Sequence, residues 1–416
     1  MPLPEQGLDQ QTIIESLLAK RANDVRWQDG KTFGMVYDAG PSTHELIEAV
    51  APLFVHDNAL NTRAFPSLGE IQSEVVRIVA DLLHGDDRAS GFMTSGGTES
   101  ILMAVKAARE RGRKERGIAA PNMVVPASAH AAFHKGAHYF GIEMRKVAVR
   151  PDWRADVDAM AAFVDDNTVL VVGSAPQYPQ GVIDPIPDLA ALAAEAGANF
   201  HTDACMGGFF LPFMEMLGHD VPPWDFRVPG VTSISADLHK LGYTPKGAST
   251  IVHRSKELRR HQTFVFDGWL GGFYASPNMQ GTRAGLPMAL AWAVLHHLGV
   301  DGYKELTATA IATRERMVEG VRAVESLTVL GEPEAQLLAI AADPEHPGVD
   351  VFALGDALQA RGWFHDRQAP PDSLHATVSA GNAPVIEEYL QDLEHCTADV
   401  LGRSTDDRST NYATLE

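Results

Sequence analysis

The chain has 416 residues, which is enough to bury a large core and too many for one ordinary domain. Apolar residues make up 45% and charged residues 21%, a globular composition, and the net charge is −20 at pH 7. This acidic balance argues against a nucleic-acid partner, because phosphate backbones bind basic surfaces, although a small anion needs only a local cationic pocket.

The sequence lacks the features of a secreted, membrane or metal-binding protein. Cys205 and Cys396 are too few and too far apart to predict a disulfide framework or a zinc site. The first residues lack a basic start followed by an apolar core, and no run of about 18 apolar residues predicts a spanning helix. We therefore expect a cytoplasmic protein with no signal peptide, no integral membrane segment and no metal.

Two strong helices are predicted early in the chain. Over residues 67–85, apolar residues recur with helical periodicity, and Ser67 and Glu70 have the spacing of a capping box. Residues 98–113 predict a second helix, with Thr98 as its N-cap.

Short strand-like runs then alternate with helical segments, which predicts an α/β fold with a mostly parallel sheet. The runs are NMVVPAS, RKVAV, TVLVVGSAP, ANFHTDAC, TSISAD and GASTIVHR, and the helical segments are KGAHYFGI and DLAALAAEAG. Parallel sheets bind ligands at the carboxyl ends of their strands. Two of the predicted ends carry polar residues, namely Asp203, Asp237, His239 and Lys240.

The character of the sequence changes after residues 281–285, where a long helical segment leads into a region with fewer glycine-rich turns. We predict an N-terminal arm at 1–55, a large ligand-binding domain at 56–289 and a smaller C-terminal domain at 290–416. The sequence assigns no clear fold to the arm.

Three motifs carry residues of chemical interest, and each has a structural alternative. In TSGGTES, two glycines precede Thr98 at a helix start, which suits an anion but also a tight turn with a cap. In HTDAC, Asp203 ends a predicted buried strand. A carboxylate there either binds a cation or a hydrogen-bond donor in a site, or caps a helix or turn. Lys240 at a strand end is a nucleophile if it is desolvated, or a structural ion-paired lysine.

The combination of the three motifs favours one cofactor. An anion cradle, an aspartate and a lysine at strand ends of one α/β domain are the parts that bind pyridoxal 5'-phosphate. The lysine forms the Schiff base, the aspartate keeps the pyridine nitrogen protonated, and the cradle holds the phosphate. The charged ring then accepts electrons from a bond broken at the substrate Cα.

Four motifs in the same order resemble sphingosine-1-phosphate lyases, in the group of pyridoxal-phosphate enzymes that includes the glutamate-type decarboxylases. They are TSGGTESILMAVKAAR, HTDACMGGFF, SISADLHKLGYTPKG and GGFYASPNMQGTRAG. The resemblance implies the aspartate-aminotransferase-like fold, fold type I. This fold has a large domain with a mostly parallel sheet and a smaller C-terminal α+β domain.

The resemblance implies roles around the cofactor ring. Lys240 matches the Schiff-base lysine, and Asp203 matches the partner of the pyridine nitrogen. His130, in PASAHAAFHKGA, matches the histidine that stacks on the ring. Without the family, His130 is better interpreted as a core or helix-start histidine.

The resemblance also implies contacts to the cofactor phosphate. Gly97 and Thr98 match such contacts, with His239 as a third candidate. Thr282, in GTR, resembles a Ser/Thr that the second subunit contributes to the phosphate. This match implies an obligate homodimer with shared active sites.

Further matches lie on the substrate side. Lys246 matches a lysine that is typical of the lyases and generally absent from the decarboxylases, and Tyr178 matches a tyrosine near the reacting centre. Tyr37 and Asn58 match residues near the substrate head group, and Tyr412 is a candidate for a late tyrosine that reaches the site. The alternatives are a solvated lysine, packed or loop aromatics and an asparagine in a turn.

One position departs from the family pattern. Lyases usually read Asn-Pro-Leu-His where this chain has Asn58-Ala59-Leu60-Asn61. Asn61 can donate a hydrogen bond, but unlike histidine it cannot carry charge or shuttle a proton near neutral pH. The substitution bears on recognition of the substrate phosphate, and hence on the substrate itself.

The favoured hypothesis is an aldehyde-lyase that cleaves a 2-amino-3-hydroxy compound phosphorylated at C1, such as a sphingoid base 1-phosphate, to an aldehyde and phosphoethanolamine. Lys240, Lys246 and Tyr178 are unranked acid and base candidates, with His130 beside them. The alternative is a pyridoxal-phosphate-dependent L-amino-acid decarboxylase, which Asn61 favours and Lys246 disfavours. A non-catalytic homologue is a remote alternative, because every cofactor position is intact.

Overall fold

The structure is a computed structural model that describes residues 3–410. Its helices are α1 (Gln10–Lys20), α2 (Pro41–Phe54), α3 (Pro66–Leu82), α4 (Gly97–Arg116), α5 (Ala132–Phe140), α6 (Val157–Ala161), α7 (Ile186–Glu195), α8 (Leu211–Met216), α9 (Lys256–Arg259), α10 (Gly285–Ala323), α11 (Val351–Ala360) and α12 (Ile386–Val400). Its strands are β1 (Ser90–Thr94), β2 (Asn122–Pro126), β3 (Glu143–Val147), β4 (Thr168–Ser174), β5 (Asn199–Asp203), β6 (Val231–Ala236), β7 (Ser249–His253), β8 (Phe264–Trp269), β9 (Gly272–Ser276), β10 (Leu327–Val329), β11 (Leu337–Ala342), β12 (Asp366–Gln368) and β13 (Ser373–Thr377).

The central sheet has seven strands in the order β1-β7-β6-β5-β4-β2-β3. The strands from β6 to β3 pair in parallel, whereas β7 is antiparallel to both of its neighbours. Every residue of β4 and β5 is buried, as expected for interior strands covered on both faces. The predicted α/β fold with a mostly parallel sheet is confirmed. Sequence analysis missed the edge strand β1, because its short run SGFMT merges into the glycine turn that follows.

A second sheet, β10-β11-β13-β12, is antiparallel and shares a core with α11 and α12. Phe33 from the N-terminal part is buried in this core, with its ring 4.7 Å from that of Tyr389. The boundary predicted near residue 290 falls inside α10, which is interrupted at Gly299. The division into an arm, a large domain and a small domain stays a prediction.

The starts of two helices differ from the prediction. α3 begins at Pro66, one residue before Ser67, and no side chain caps it, so the capping box expected from Ser67 and Glu70 is wrong. Proline is well suited to the first turn, because it fixes φ and its missing N–H has no helical partner there. Thr98 is not an N-cap either, because α4 is capped by Gly96 and Thr98 lies within its first turn.

The hairpin β8–β9 and the helix α1 both expose apolar side chains. The hairpin β8–β9 exposes all of β8 and most of β9, including Trp269 and Phe273, and α1 buries none of its residues. Within residues 3–410, no helix combines the length and the apolar character needed to cross a membrane. The cytoplasmic location stays a prediction.

Candidate active site

The carboxyl ends of the parallel strands bring the predicted residues to one edge of the central sheet. His130 follows β2, Tyr178 follows β4, Asp203 ends β5, and Asp237 and Lys240 follow β6. Because parallel strands point the same way, residues distant in sequence meet at this edge. The sheet topology therefore assembles a site from four separate loops.

The N-terminus of α4 forms one wall of a cavity of about 290 Å³ at this edge. Its first-turn N–H groups have no acceptor within the helix. A Cβ added at Gly97 would lie only 2.7 Å from Asp237 Oδ2 and 2.8 Å from Cys205 Sγ, so glycine is required there. The cavity is lined by Ser95, Gly96, Gly97, Thr98, Glu99, Ile101, His130, Cys205, Asp237, His239 and Lys240.

Asp237 is the counter-ion of Lys240. The Lys240 ammonium lies 3.0 Å from Asp237 Oδ2, and the His239 imidazole lies 3.6 Å from the same atom. Asp237 also accepts a hydrogen bond from the Ser249 hydroxyl. Burial alone would raise the pKa of Asp237, but the Lys240 charge and these donors lower it well below its usual range. This ion pair fixes the Lys240 side chain in the lining of the cavity.

His130 lies between this cavity and a second one. Its Nδ1 accepts a hydrogen bond from the Ala132 backbone N–H at 3.1 Å, which fixes the ring. Burial lowers the pKa of His130, with Asp203 opposing the shift. A neutral, fixed imidazole suits stacking on an aromatic ring.

Lys246 lies beside the cavity rather than inside it. Its ammonium donates to the His239 carbonyl at 2.9 Å and sits 4.9 Å from the centre of the Tyr37 ring. Burial, followed by repulsion from Lys240, lowers the pKa of Lys246 to about 8. The Lys246 residue as a whole is exposed.

Tyr178 lines the second cavity, which has a volume of about 490 Å³, and makes three contacts with two residues there. Its hydroxyl donates to Asp366 Oδ2 at 2.9 Å, and its ring stacks on His375 with 3.9 Å between centroids. His375 Nε2 lies 3.0 Å from the Tyr178 carbonyl, so it donates to that oxygen. Asp366 and His375 belong to the second sheet, which therefore completes the site.

Thr282, Asn58 and Asn61 lie outside both cavities. Thr282 is exposed, and Asn58 lies beside it, because Asn58 pairs with Ala284 in an isolated bridge. Asn61 is exposed, and its side-chain oxygen accepts from the Arg63 N–H at 2.9 Å.

Tyr412 lies outside the described residues, so its predicted approach to the site stays a prediction. The last described residue before it, Thr410, lines the cavity beside Tyr178 and His130.

Sequence analysis missed several residues of the site. Glu99 is buried and accepts from the Ser95 N–H and from the backbone of Met279, which ties the segment before Thr282 to the cradle. A charged residue within a buried helical start is a signal that could have identified it. Asp366 has no comparable local signal, because only the packing of the second sheet brings it to Tyr178.

The residues of the cavity fit pyridoxal phosphate. A helix N-terminus with a glycine that tolerates no Cβ forms an anion cradle, and the primary amine of Lys240 faces the same space as the His130 ring. The Asp203 carboxylate ends the neighbouring strand. This set supplies an anion site, a nucleophilic amine, a stacking surface and a buried carboxylate.

Comparison with known proteins identifies the class of cofactor-dependent protein to which the chain belongs. The sequence model of the pyridoxal-dependent decarboxylase conserved domain matches residues 2–342, so the fold and the site define a pyridoxal-phosphate-dependent protein. Sphingosine-1-phosphate lyase of Arabidopsis thaliana is 40% identical over 406 residues, which cover 96% of this chain and 74% of the relative. Sphingosine-1-phosphate lyase 1 of Rattus norvegicus is 40% identical over 402 residues, which cover 96% of this chain and 70% of the relative.

Solved structures agree with this assignment. The structure of Burkholderia pseudomallei sphingosine-1-phosphate lyase superposes with a TM-score of 0.91 at 39% identity, covering 96% of this chain and 92% of that chain. Lactobacillus brevis glutamate decarboxylase, at 21% identity and a TM-score of 0.84, covering 98% of this chain and 96% of that chain, shares the fold. The chain belongs to the sphingosine-1-phosphate lyase family, and the resemblance predicted from its motifs is confirmed.

Proposed function

We propose that the protein is a pyridoxal-phosphate-dependent aldehyde-lyase that cleaves a sphingoid base 1-phosphate to a fatty aldehyde and phosphoethanolamine. The C2–C3 bond breaks, the 3-hydroxyl loses its proton as the aldehyde forms, and C2 gains a proton. The observation that carries the proposal is the placement of two lysines at the same edge of the central sheet. Lys240 lines the cofactor cavity, and beside it the Lys246 ammonium contacts a carbonyl oxygen and the face of an aromatic ring.

The cofactor-binding roles proposed for the chain follow from the cavity. Bound pyridoxal phosphate supplies an electron sink for the bond broken beside the substrate nitrogen. Lys240 would hold the cofactor covalently, and Asp203 would accept from its pyridine nitrogen. His130 would cover the ring, and the first turn of α4, at Gly97 and Thr98 with His239 beside it, would hold the phosphate.

On the substrate side, Lys246 is placed to neutralise the substrate phosphate or to move a proton. A phosphate dianion is stable away from water only near cations and donors, and the Lys246 charge is not cancelled by its neutral contacts. Tyr37 lies against this ammonium, and Tyr178 is fixed at the reacting end. Tyr412 is proposed to approach from the tail.

We propose that the active form is a homodimer with shared sites. The support is the exposed Thr282, which follows the exposed apolar hairpin β8–β9 in the chain, with the half-buried Asn58 beside it. Large exposed apolar surfaces in soluble proteins mark interfaces. A second copy placed on the hairpin would bring Thr282, Asn58 and Asn61 toward the neighbouring cavity.

A second candidate is an amino-acid decarboxylase on the same cofactor. Asn61 favours it, because the lyases place a histidine there and an asparagine cannot supply its charge. The decarboxylase would use Lys240, Asp203 and His130 in the same way, but would release CO₂ instead of an aldehyde. A non-catalytic homologue remains the remote alternative.

The two reactions are separated by their products. The purified protein is incubated with sphinganine 1-phosphate and, separately, with a panel of L-amino acids, with Lys240→Ala as the inactive control. Formation of aldehyde and phosphoethanolamine supports the lyase. Release of CO₂ from an amino acid with no aldehyde from the phosphorylated substrate would replace it by the decarboxylase.

A further inference from the structure

Four polar side chains share one face of the neighbouring buried strands β5 and β6. The parallel register places His201 opposite Ser233 and Asp203 opposite Ser235. Because residues two apart in a strand point to the same side, HTD and SIS bring all four together. None of the four is more than 7% exposed, so each needs a partner to offset the cost of burial.

The four groups form a chain of hydrogen bonds that ends on Asp203. Ser235 Oγ lies 3.1 Å from Asp203 Oδ1 and 3.1 Å from His201 Nε2. His201 Nδ1 lies 2.9 Å from Ser233 Oγ.

The direction of these bonds follows from the number of protons. An ionised carboxylate only accepts, so the single hydroxyl proton of Ser235 goes to Asp203. His201 Nε2 therefore carries a proton and donates it to Ser235 Oγ. His201 Nδ1 is then bare and accepts from the Ser233 hydroxyl. The bonds run from Ser233 through His201 and Ser235 to Asp203.

The surroundings of His201 favour this single tautomer. Burial lowers the pKa of His201 to about 4, although the Asp203 charge opposes the shift, so the ring is neutral near pH 7. The Cys205 backbone N–H gives Asp203 Oδ1 a second donor at 3.1 Å. With Oδ1 held by two protein donors, Oδ2 is the oxygen that remains for a ligand.

We propose that Ser233, His201 and Ser235 are positioning residues that orient Asp203 and stabilise its negative charge, so that the shared proton stays on the cofactor's pyridine nitrogen. The inference rests on the proposed cofactor site and adds a role for residues outside the cavity. Without these donors, the carboxylate takes the shared proton more readily, and a neutral ring is a weaker electron acceptor.

The test compares Ser235→Ala with Thr202→Val. Thr202 is equally buried on β5, but its hydroxyl points to the other side and donates to the Trp224 carbonyl at 3.1 Å. Each protein is stripped and reloaded with pyridoxal 5'-phosphate carrying ¹⁵N in the ring. The readouts are the cofactor dissociation constant and the ¹⁵N chemical shift.

We expect Ser235→Ala to weaken cofactor binding about 10-fold, the effect of losing one hydrogen bond to a charged group. Its ring-nitrogen signal should move toward that of neutral pyridine. Thr202→Val should keep the dissociation constant and the chemical shift of the unmodified protein.

A second pair of variants keeps the inference testable if Ser235→Ala does not fold. His201→Gln retains an N–H close to the position of Nε2 and should keep the native ring-nitrogen signal, whereas His201→Leu should reproduce the shift toward neutral pyridine. A wild-type chemical shift and dissociation constant in the loaded His201→Leu and Ser235→Ala proteins would overturn the inference alone. Failure of the unmodified protein to bind pyridoxal phosphate would overturn the proposed function with it.

Discussion

Lys240 and Lys246 are six positions apart, but their surroundings differ. Lys240 is paired with the buried carboxylate of Asp237, which keeps its amine at the cavity floor. Lys246 contacts a carbonyl and an aromatic face, neither of which cancels its charge. The environment of Lys240 suits a covalent attachment point. The environment of Lys246 suits binding of an anion or transfer of a proton.

The role of Lys246 predicts a specific effect of pH. Because the pKa of Lys246 is lowered to about 8, its ammonium loses charge as the pH rises through 8, while the substrate phosphate is already a dianion. The value of kcat/KM for sphinganine 1-phosphate should therefore fall above pH 8. Lys246→Arg should remove this fall, because arginine keeps its charge.

Removing the Lys246 charge altogether should lower kcat/KM further. We expect Lys246→Ala to lower kcat/KM about 10- to 100-fold, the range for a lost hydrogen bond to a charged group, while the visible absorbance of bound cofactor is unchanged. The exposed Lys256→Ala is the matched control. Unchanged turnover in Lys246→Ala would return Lys246 to the role of a solvated lysine.

Among the helices and strands, the start of α4 is the element end whose function the motif predicts but whose first residue it misplaces. The motif TSGGTES predicted both a helix start and an anion site, but it placed the N-cap at Thr98, two residues after the observed N-cap Gly96. The reason is physical, because Gly96 and Gly97 allow the backbone to begin the helix earlier than any side-chain cap requires. Only the packing of α4 against Asp237 and Cys205 shows why glycine is needed.

Gly97→Ala tests this packing. Alanine is the better helix former, so the substitution alone favours the helix, but the new Cβ must displace Asp237 and Cys205. We expect at least about a 10-fold loss of cofactor affinity by equilibrium dialysis, the scale of one charged hydrogen bond, with helix content unchanged by circular dichroism. Lys114→Ala on the same helix is the control. Native affinity in Gly97→Ala would show that the cradle is looser than described.

At the scale of the whole molecule, the site draws on distant parts of the chain. The first sheet supplies the cofactor cavity, and the second sheet holds Tyr178 through Asp366 and His375. Thr282 follows the exposed hairpin, is itself exposed and does not line the cavity of its own chain. The proposed dimer, in which each copy completes the other's site, would account for both the apolar surface and the exposed polar residues.

Breaking the proposed interface at the hairpin should produce monomers and lower the activity at the same time. Trp269→Glu combined with Phe273→Glu places two charges on the hairpin, and we expect sedimentation to show monomers with reduced lyase turnover. Phe163→Glu changes an apolar residue of similar exposure outside the hairpin and should leave the assembly intact. A double variant that keeps the assembly and activity of the unmodified protein would rule out the hairpin as the interface.

Local sequence was enough to predict the cofactor class, the strands β2 to β7 and the motifs of the family, because these depend on local periodicity and on residue types in short segments. The two lysines, Asp203 and the glycine cradle belong to that local information. Tertiary packing brings groups from distant parts of the chain to the predicted residues, namely Ser235 to Asp203 and Asp366 to Tyr178. Those contacts depend on sheet register and on packing between the two sheets, which no single segment of the chain specifies.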